Sequence, residues 1–210
     1  MHSHSSRLRE QFGEIDIYLF DQILKGRFDA RPRLLDGGCG DGRNLVYFLR
    51  AGFECFAVDT DAAAMAHVRT LAATLAPDLP SSNFTTGTLE GLEHADASMD
   101  AVISSAVLHF ATDEQHFDQM LGEMWRVLAP GGLFFARLAS NIGIEHRVPV
   151  AGRRVQLPDG SDRFVVDEAM LRARTGQLGW LADPIKTTNV QGLRCMTTWV
   201  VVKQEKGDRR

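Results

Sequence analysis

The stretch LLDGGCGDGRN, residues 34–44, decides how this chain folds. An apolar run ends in the carboxylate of Asp36, a glycine-rich turn follows, and an amphipathic pattern then predicts a helix. Glycine has no Cβ, so it adopts positive φ and lets a ligand approach the bare backbone. The loop amides and the start of the next helix also supply hydrogen-bond donors. The stretch therefore predicts a strand–loop–helix unit that binds a ligand.

Length and composition describe an ordinary globular domain. The chain has 210 residues, 44% of them hydrophobic and 24% charged, which is enough for one well-buried core. The formal net charge of −4 opposes binding to duplex nucleic acid, which usually requires a basic face. The sequence has no apolar run of membrane-spanning length and no signal-peptide core, so we expect a cytoplasmic protein without a membrane partner.

The cysteines and histidines predict no metal site. Cys39, Cys55 and Cys195 are odd in number, far apart and without Cys-x-x-Cys spacing, so we expect neither a disulfide framework nor a zinc site. The pair His2 and His4 is interpreted as part of a solvated tail, and metal binding is the less favoured alternative.

Strand-like runs alternate with helical patterns, which predicts an α/β fold with a largely parallel sheet. After the fifth strand, two runs flank a Pro-Asp-Gly-Ser turn and predict an inserted β-hairpin. Gly192 forms a tight link before the last strand, which predicts that the final pair is antiparallel. The predicted strands are 33–36, 53–58, 83–86, 100–104, 133–138, 181–190 and 195–203, with hairpin strands 153–157 and 163–166. Residues 7–28 are predicted to form one or two helices, and the other predicted helices are 43–51, 62–75, 114–128 and 168–178.

Three ligand types compete for the glycine loop. A phosphate-binding P-loop requires Gly-x-x-x-x-Gly-Lys-Ser/Thr, and no Lys-Ser or Lys-Thr follows here. A dinucleotide fingerprint requires Gly-x-Gly-x-x-Gly, whereas residues 38–42 read Gly-x-Gly-x-Gly. The carboxylate of Asp36 would also repel a pyrophosphate and attract an ammonium group. The loop therefore favours S-adenosylmethionine, which has an α-amino group and a sulfonium but no phosphate.

Asp59 ends the predicted second strand. It lies about 20 residues beyond the glycine loop, where a doubly wound sheet places a ribose-binding carboxylate. An ionised carboxylate can accept hydrogen bonds from two ribose hydroxyls. The alternative is that Asp59 caps the following helix, but Asp61 is better placed for that role. We therefore predict that Asp59 binds a ribose.

Four motifs, in order, resemble those of the class I S-adenosylmethionine-dependent methyltransferases. They are LDGGCGDG at residues 35–42, VD at 58–59, MDAVISSAVLH at 99–109 and VLAPGG at 127–132. Residues 42–44 and 49–55 are also similar to the tellurite-resistance-like and thiopurine-type small-molecule enzymes, within the methyltransferase type 11 group. The resemblance implies a single doubly wound, Rossmann-like domain with helices on both faces. Its sheet would have seven mostly parallel strands, with the last strand antiparallel.

The resemblance also implies the cofactor S-adenosyl-L-methionine, with S-adenosyl-L-homocysteine as the product. Residues 31–204 would form the methyltransferase domain, residues 1–30 a helical cap over the cofactor site, and residues 205–210 a frayed tail. The implied cofactor-binding residues are Asp36, Gly38, Cys39, Gly40, Gly42 and Asn44 in the loop, Asp59 and Thr60 after the second strand, Thr88 and Leu89 at the adenine, Ser104 near the methionyl amine, and Tyr18 in the cap.

Three of these assignments have qualifications. Thr88 stands where the family often has an acidic residue, and a neutral hydrogen bond to the adenine is weaker than a charge-assisted one. Leu89 would then contribute packing and its amide. Asn44 has the alternative of an ordinary local polar contact. Tyr18 has the alternative of packing with Leu19 and Phe20.

Methyl transfer from a sulfonium is an in-line displacement with a good leaving group, so the protein mainly supplies approach geometry and excludes water. A base is needed only when the nucleophile arrives protonated, and His109 after the fourth strand is the catalytic candidate. Its alternative is packing beside the cofactor. Asn141, Arg147, Arg153 and Arg154 are candidates for an anionic acceptor, although arginines on a hairpin are usually solvated.

The leading hypothesis is a methyltransferase for a small-molecule acceptor, because the motifs occur in a chain with no large substrate domain. A nucleic-acid acceptor is not expected, since the chain has neither Asn/Asp-Pro-Pro-Tyr/Phe after the fourth strand nor a Pro-Cys nucleophile. A protein or peptide methyltransferase and a non-catalytic S-adenosylmethionine-binding protein stay open as alternatives. The missing third glycine and Asp36 oppose a nicotinamide dehydrogenase.

Overall fold

The computed structural model describes residues 4–149 and 152–205, so His2 and all but Glu205 of the predicted tail lie outside the described residues. The helices are α1 (His4–Phe12), α2 (Ile17–Leu24), α3 (Val46–Arg50), α4 (Ala62–Leu75), α5 (Glu114–Val127) and α6 (Glu168–Leu178). The strands are β1 (Arg33–Gly37), β2 (Glu54–Asp59), β3 (Phe84–Thr86), β4 (Met99–Ser105), β5 (Leu128–Ser140), β6 (Arg154–Gln156), β7 (Asp162–Phe164), β8 (Gly179–Leu181), β9 (Lys186–Val190) and β10 (Arg194–Lys203). Short 3-10 turns cover Ser81–Asn83 and Leu108–Phe110.

The main sheet has the strand order β3–β2–β1–β4–β5–β10–β8, and β9 also pairs with β10. Strands β1 to β5 are parallel, and β10 runs antiparallel to β5. The chain leaves β1 in one direction for β2 and β3, and then crosses to the other side of β1 for β4 and β5. The ends of β1 and β4 therefore flank the crevice in which a doubly wound sheet binds its ligand. The predicted α/β fold with an antiparallel last strand is confirmed.

The strand predicted over 181–190 is divided into β8 and β9, so eight strand segments fill the seven predicted positions. Both segments are antiparallel to β10, with β8 opposite residues 201–203 and β9 opposite residues 194–198. Pro184 lies between them and has no N–H to donate to the ladder, so the strand is interrupted there.

Apolar side chains on the two faces of the sheet pack against different helices. Leu35 and Phe134 belong to a cluster that includes α5 and α6, whereas Leu34 and Phe135 belong to a cluster that includes α3 and α4. Successive residues of a strand point to opposite faces, so neighbours in the sequence fall into different clusters. Helices therefore cover both faces of the sheet, as predicted.

The local boundaries follow from capping and turn residues. Of the one or two helices predicted over 7–28, the structure has two, α1 and α2, and the side chain of Asp16 caps the start of α2. Asp61 and Asp167 cap α4 and α6, as the sequence indicates. The predicted hairpin is present as β6 and β7, and Phe164 of this hairpin stacks on Phe117 of α5.

Two negative findings apply to the described part of the chain. Its helices do not combine the length and apolar character that a bilayer-spanning segment requires. Its His, Cys, Asp and Glu residues also form no group of three or more that could hold a metal ion. All three cysteines are free and buried, and each belongs to one of the apolar clusters.

Candidate functional site

The carboxyl-terminal ends of the parallel strands border a cavity of about 430 Å³, which we call the first cavity. Its walls come from the glycine loop after β1, the end of β2, residues 87–90 after β3, the segment after β4, and α5. A volume of a few hundred Å³ is typical of small-molecule sites. The first cavity therefore lies where this fold is expected to bind a ligand.

Gly38 and Gly40 bring bare backbone to the edge of the first cavity, and both have positive φ, 75° and 51°. A Cβ at Gly38 would lie 2.5 Å from Cγ2 of Val107, so a side chain at this position would collide with the segment after β4. A Cβ at Gly40 would meet nothing within 4 Å. The loop therefore leaves room for a ligand against the backbone at Gly40.

Asp59 ends β2 and lines the first cavity. Its Oδ2 accepts a hydrogen bond from the Gly40 N–H at 2.8 Å, and its Oδ1 accepts one from the Asp61 N–H at 3.0 Å. A carboxylate offers about four lone-pair positions, so Asp59 can accept further hydrogen bonds from a ligand. The cap of α4 is Asp61, which accepts from the backbone of Ala63 and Ala64. The alternative of Asp59 as the helix cap is therefore wrong.

Asp36 lies in β1, just before the glycine loop, and is 1% exposed. Within the described residues, neither of its carboxylate oxygens has a hydrogen-bond partner. Burial raises its pKa to about 7, the charge of Arg43 opposes this shift, and the charge of Asp59 adds to it. An unpaired carboxylate in the interior is costly, so it normally has a partner. A cationic group bound beside the loop would supply that partner.

Another part of the wall contains Thr88, Leu89 and Glu90, from the segment 87–90 expected at the adenine, and His116, which sequence reasoning missed. Glu90 Oε1 and His116 Nε2 are 2.5 Å apart. Burial favours a higher pKa for Glu90, but hydrogen bonds with its own backbone N–H, His116 and Thr88 outweigh burial, and the pKa is lowered. Glu90 therefore places a carboxylate two residues after Thr88, within the segment 87–90 that the resemblance assigns to the adenine.

Not all of the predicted cofactor residues line the first cavity. Those that do are Gly38, Gly40, Asp59, Thr60, Thr88 and Leu89. Those that do not are Asp36, Cys39, Gly42, Asn44, Ser104 and Tyr18.

Three of the residues outside the wall have structural surroundings that explain their position. Asn44 Oδ1 accepts a hydrogen bond from the backbone N–H of Asp16 at 3.0 Å, a tertiary contact between residues 28 apart in the chain, and not the local contact given as its alternative. The Cys39 thiol lies against Met65 Sδ, and burial raises its pKa. Ser104 is fully buried in β4, and its Oγ has no partner in the described part of the chain.

A second cavity, of about 440 Å³, adjoins the first. The two cavities share Ala106 and Phe110, and the other walls of the second cavity come from the start of α2, β5, the β6–β7 hairpin and β10. Ala106 has a φ of 65°, which is uncommon for a residue with a Cβ, and its N–H donates to the Arg137 carbonyl at 2.7 Å. Strained residues of this kind concentrate at functional sites. The two cavities therefore meet at a constrained point of the backbone.

Positive charge dominates the second cavity. Arg137 Nε pairs with Asp16 Oδ2 at 3.1 Å, and both side chains are largely buried. Arg137 Nη1 has no hydrogen-bond partner within residues 4–149 and 152–205. The charged residues that line the cavity are Arg43, Arg137, Arg163, Arg194 and Asp16. Four guanidinium groups against one carboxylate favour an anionic occupant.

The N-terminal segment borders the second cavity through Asp16. Tyr18 lies close by, with its ring centroid 4.4 Å from Cζ of Arg137. Its hydroxyl is 2.5 Å from Thr188 Oγ1 on β9. Tyr18 therefore packs at the second cavity, and the role of residues 1–30 as a cap over the cofactor site stays a prediction.

His109 lies in the 3-10 turn after β4, is 5% exposed, and lines the second cavity. Burial lowers its pKa to about 4, and the positive charge of Arg163 contributes to this shift. Among the described residues its Nδ1 has no hydrogen-bond partner. The imidazole is therefore neutral at pH 7.

The residues expected to meet an anionic acceptor do not line the second cavity. Arg153 pairs with Glu114 and Asp167, and Arg154 pairs with Asp162. Arg147 lies near Gly192, and the Asn141 amide donates to the Val148 carbonyl. Arg137 was missed, although a lone arginine within the apolar run of β5 is a signal that could have identified it.

Residues 35–136 match the family model described as a methyltransferase domain, and this range contains every residue that lines the first cavity. The chain is also 31% identical over 162 residues to malonyl-[acyl-carrier protein] O-methyltransferase from Enterobacter lignolyticus. This match covers 76% of the chain but only 60% of that relative.

Among solved structures, the chain is similar to the PH0226 protein from Pyrococcus horikoshii, with a TM-score of 0.68 and 17% identity, over 97% of this chain and 93% of that chain. It is also similar to 1,6-didemethyltoxoflavin-N1-methyltransferase from Burkholderia thailandensis, solved with 1,6-didemethyltoxoflavin and S-adenosylhomocysteine bound. That match has a TM-score of 0.66 and 17% identity, over 96% of this chain and 87% of that chain. At these identities the similarity shows the fold.

Proposed function

We propose that this chain, which belongs to the class I S-adenosylmethionine-dependent methyltransferases, transfers a methyl group from S-adenosylmethionine to a small-molecule acceptor by in-line displacement. The observation that carries the proposal is the meeting of two cavities at Ala106 and Phe110. In-line transfer needs two neighbouring sites, one for the donor and one for the acceptor, with the reacting atoms brought together between them.

The residues around the first cavity fit S-adenosylmethionine. Asp36, buried without a hydrogen-bond partner within the described residues, is complementary to the amino group of the donor. Asp59 has lone pairs left for the ribose hydroxyls. Thr88 and Leu89 form the wall proposed for the adenine, and Glu90 adds a hydrogen-bond acceptor there.

The chain itself contributes positioning and exclusion of water. When bound, S-adenosylmethionine supplies an electrophilic methyl group on a sulfonium. The glycine loop holds backbone against the donor site, and Ala106 and Phe110 form the boundary with the acceptor site. The second cavity has the size of a small-molecule site, and the similar Burkholderia enzyme was solved with a small heterocycle bound. Both observations support a small-molecule acceptor.

His109 is the proposed base for an acceptor whose attacking atom carries a proton. It lines the second cavity, and its Nδ1 has no hydrogen-bond partner among the described residues. Because its pKa is about 4, the imidazole is neutral near pH 7 and is a weaker base than a free histidine, so it suits an attacking group whose own proton is acidic.

Titration calorimetry with S-adenosylmethionine tests the donor half of the proposal. We expect binding to the wild-type chain and a loss of affinity of about tenfold or more in Asp59→Ala, because hydrogen bonds to a charged group contribute roughly 1.5–3 kcal/mol. The matched control is Asp61→Ala, which removes a nearby carboxylate that caps α4 and lies outside the first cavity. An unchanged affinity in Asp59→Ala would contradict the ribose assignment.

A tritiated-methyl assay tests the acceptor half. The purified protein is incubated with the labelled donor and separate pools of small metabolites and of proteins. We expect label in the small-molecule fraction. Label only in protein would favour the protein or peptide alternative, and donor binding without any transfer would favour the non-catalytic alternative.

A further inference from the structure

We infer that the acceptor is a small organic anion, bearing a carboxylate or phosphate group that Arg137 and Arg163 bind in the second cavity. This inference rests on the proposed function, because it names the acceptor class of the same site. Its basis is the charge and hydrogen bonding of the arginines that line the cavity.

Arg137 is a buried guanidinium with an incomplete set of partners. It lies in β5, in the middle of the sheet, where a charged side chain is expensive unless it is paired. Its Nε forms an ion pair with Asp16 Oδ2 at 3.1 Å, but Nη1 has no hydrogen-bond partner in the described part of the chain. A guanidinium presents donors in a fork that matches carboxylate and phosphate groups. An anion in the second cavity would complete this set.

Two other arginines that line the cavity have no ion pair in the described part of the chain. Within the described residues, neither Arg43 nor Arg163 has a carboxylate oxygen within 4 Å of a guanidinium nitrogen. Arg43 is near the Ser105 hydroxyl at 3.4 Å, and Arg163 lies over the ring of Phe110 at 5.0 Å. The single lining carboxylate, Asp16, is already paired with Arg137. Arg194 lies 3.8 Å from Asp159, so Arg43 and Arg163 are the two lining arginines without an ion pair in the described part of the chain.

The remaining lining indicates that the anion has a carbon skeleton. Leu157, Met196 and Ala139 give the second cavity an apolar surface beside the arginines. A cavity of about 440 Å³ is also far larger than one carboxylate or phosphate group requires. The apolar surface can contact a carbon skeleton, and the guanidinium groups can bind an acidic group at one end of it. The cavity therefore favours an organic acid over an inorganic ion.

Acid–amide pairs test the inference directly by binding. The probes are acetate, succinate and benzoate, each against its amide, together with phenyl phosphate; affinity is measured by calorimetry with and without saturating S-adenosylhomocysteine. We expect at least one acid or the phosphate to bind about tenfold or more tightly than the matching neutral compound, and its affinity to fall as salt is added. The carboxylate and phosphate arms identify the preferred group.

Arginine substitutions then test whether the anion binds in the second cavity. Arg163→Met and Arg137→Met are each expected to weaken the preferred anion about tenfold or more, while the S-adenosylmethionine affinity stays within about twofold. The control Arg172→Met removes the same charge from the exposed face of α6 and is expected to change neither affinity. Arg137→Met leaves Asp16 buried without its partner. Arg163→Met, at a partly exposed position of β7 without an ion pair in the described residues, therefore decides the matter if the first variant does not fold.

The two proposals fail separately. If no acid and no phosphate binds more tightly than its neutral counterpart, or if Arg163→Met and Arg172→Met behave alike, the anionic acceptor is overturned. If the wild-type chain does not bind S-adenosylmethionine, the proposed function is overturned, whatever the anions do.

Discussion

At the scale of single residues, Asp36 makes the folding free energy depend on pH. Its pKa is about 7 in the folded protein against 3.8 as a free group, so folding favours its protonated form. The unfolded chain loses this proton near pH 4 and the folded chain only near pH 7. The donor-free protein therefore loses stability as pH rises from about 4 to about 7, where each pKa unit is worth 1.36 kcal/mol.

Asp36→Asn removes this titration. Relative to wild type, we expect the free energy of unfolding of the variant to improve by about 3 kcal/mol between pH 5 and pH 8, and its affinity for S-adenosylmethionine to fall sharply. Urea denaturation at the two pH values checks the first effect, and calorimetry checks the second.

The control for this prediction is Asp100→Asn. Hydrogen bonds from Arg33 lower the pKa of Asp100, so this carboxylate stabilises the fold above pH 4. Its replacement is expected to destabilise the protein at pH 8, the opposite direction. Parallel behaviour of the two variants would argue against an unpaired carboxylate at residue 36.

His109 gives a second pH prediction. Burial, with a contribution from Arg163, sets its pKa to about 4, so the rate of methyl transfer should show no inflection from this residue near pH 6.5. NMR titration of the imidazole, assigned by comparison with His109→Gln, measures the pKa directly. Arg163→Met is expected to raise it, because a nearby positive charge is removed. A ring that titrates above pH 6 in the wild-type chain is incompatible with this environment.

At the scale of elements, the start of α2 is stabilised by more than an ordinary cap. Asp16 accepts from the backbone of Tyr18 and Leu19 and also pairs with the buried Arg137. We expect Asp16→Ala to cost about 3 kcal/mol or more, since it leaves a buried guanidinium without its carboxylate. Urea denaturation measures this cost.

The comparison for Asp16→Ala is Asp61→Ala. Asp61 caps α4 and has no ion pair in the described part of the chain. Its expected cost is about 1 kcal/mol, the usual value of an N-cap. Equal costs for the two variants would mean that the Asp16–Arg137 pair contributes nothing beyond capping.

Elements with strong local signals were predicted closely from the sequence. Helix α4 has the predicted bounds because Asp61 marks its first turn and Pro77 follows its end. The prediction of one continuous strand over 181–190 was wrong, because it did not include the interruption at Pro184. The cost of a proline within a ladder depends on which edge of the strand is paired, and that is a tertiary property.

At the scale of the whole molecule, the two cavities differ in how well a sequence can predict them. The residues of the first cavity follow β1, β2, β3 and β4 in contiguous motifs, so local patterns point to them. The charged lining of the second cavity is drawn from residues as distant as Asp16, Arg137 and Arg194. The antiparallel pairing of β10 with β5 brings Arg194 to this cavity, and the ion pair with Arg137 brings Asp16 there. Within the hairpin, Arg163 lines the second cavity, whereas Arg153 and Arg154, which the sequence offered as candidates, do not.

The two cavities share only Ala106 and Phe110, and this narrow overlap has an evolutionary consequence. Most of the second cavity is built from chain before residue 35 and after residue 136, outside the range of the family model. Under the proposed function, we therefore expect substitutions in the hairpin and β10 to change acceptor preference and to leave the residues of the donor site in place. For protein engineers, the same separation makes the hairpin a natural place to graft new selectivity.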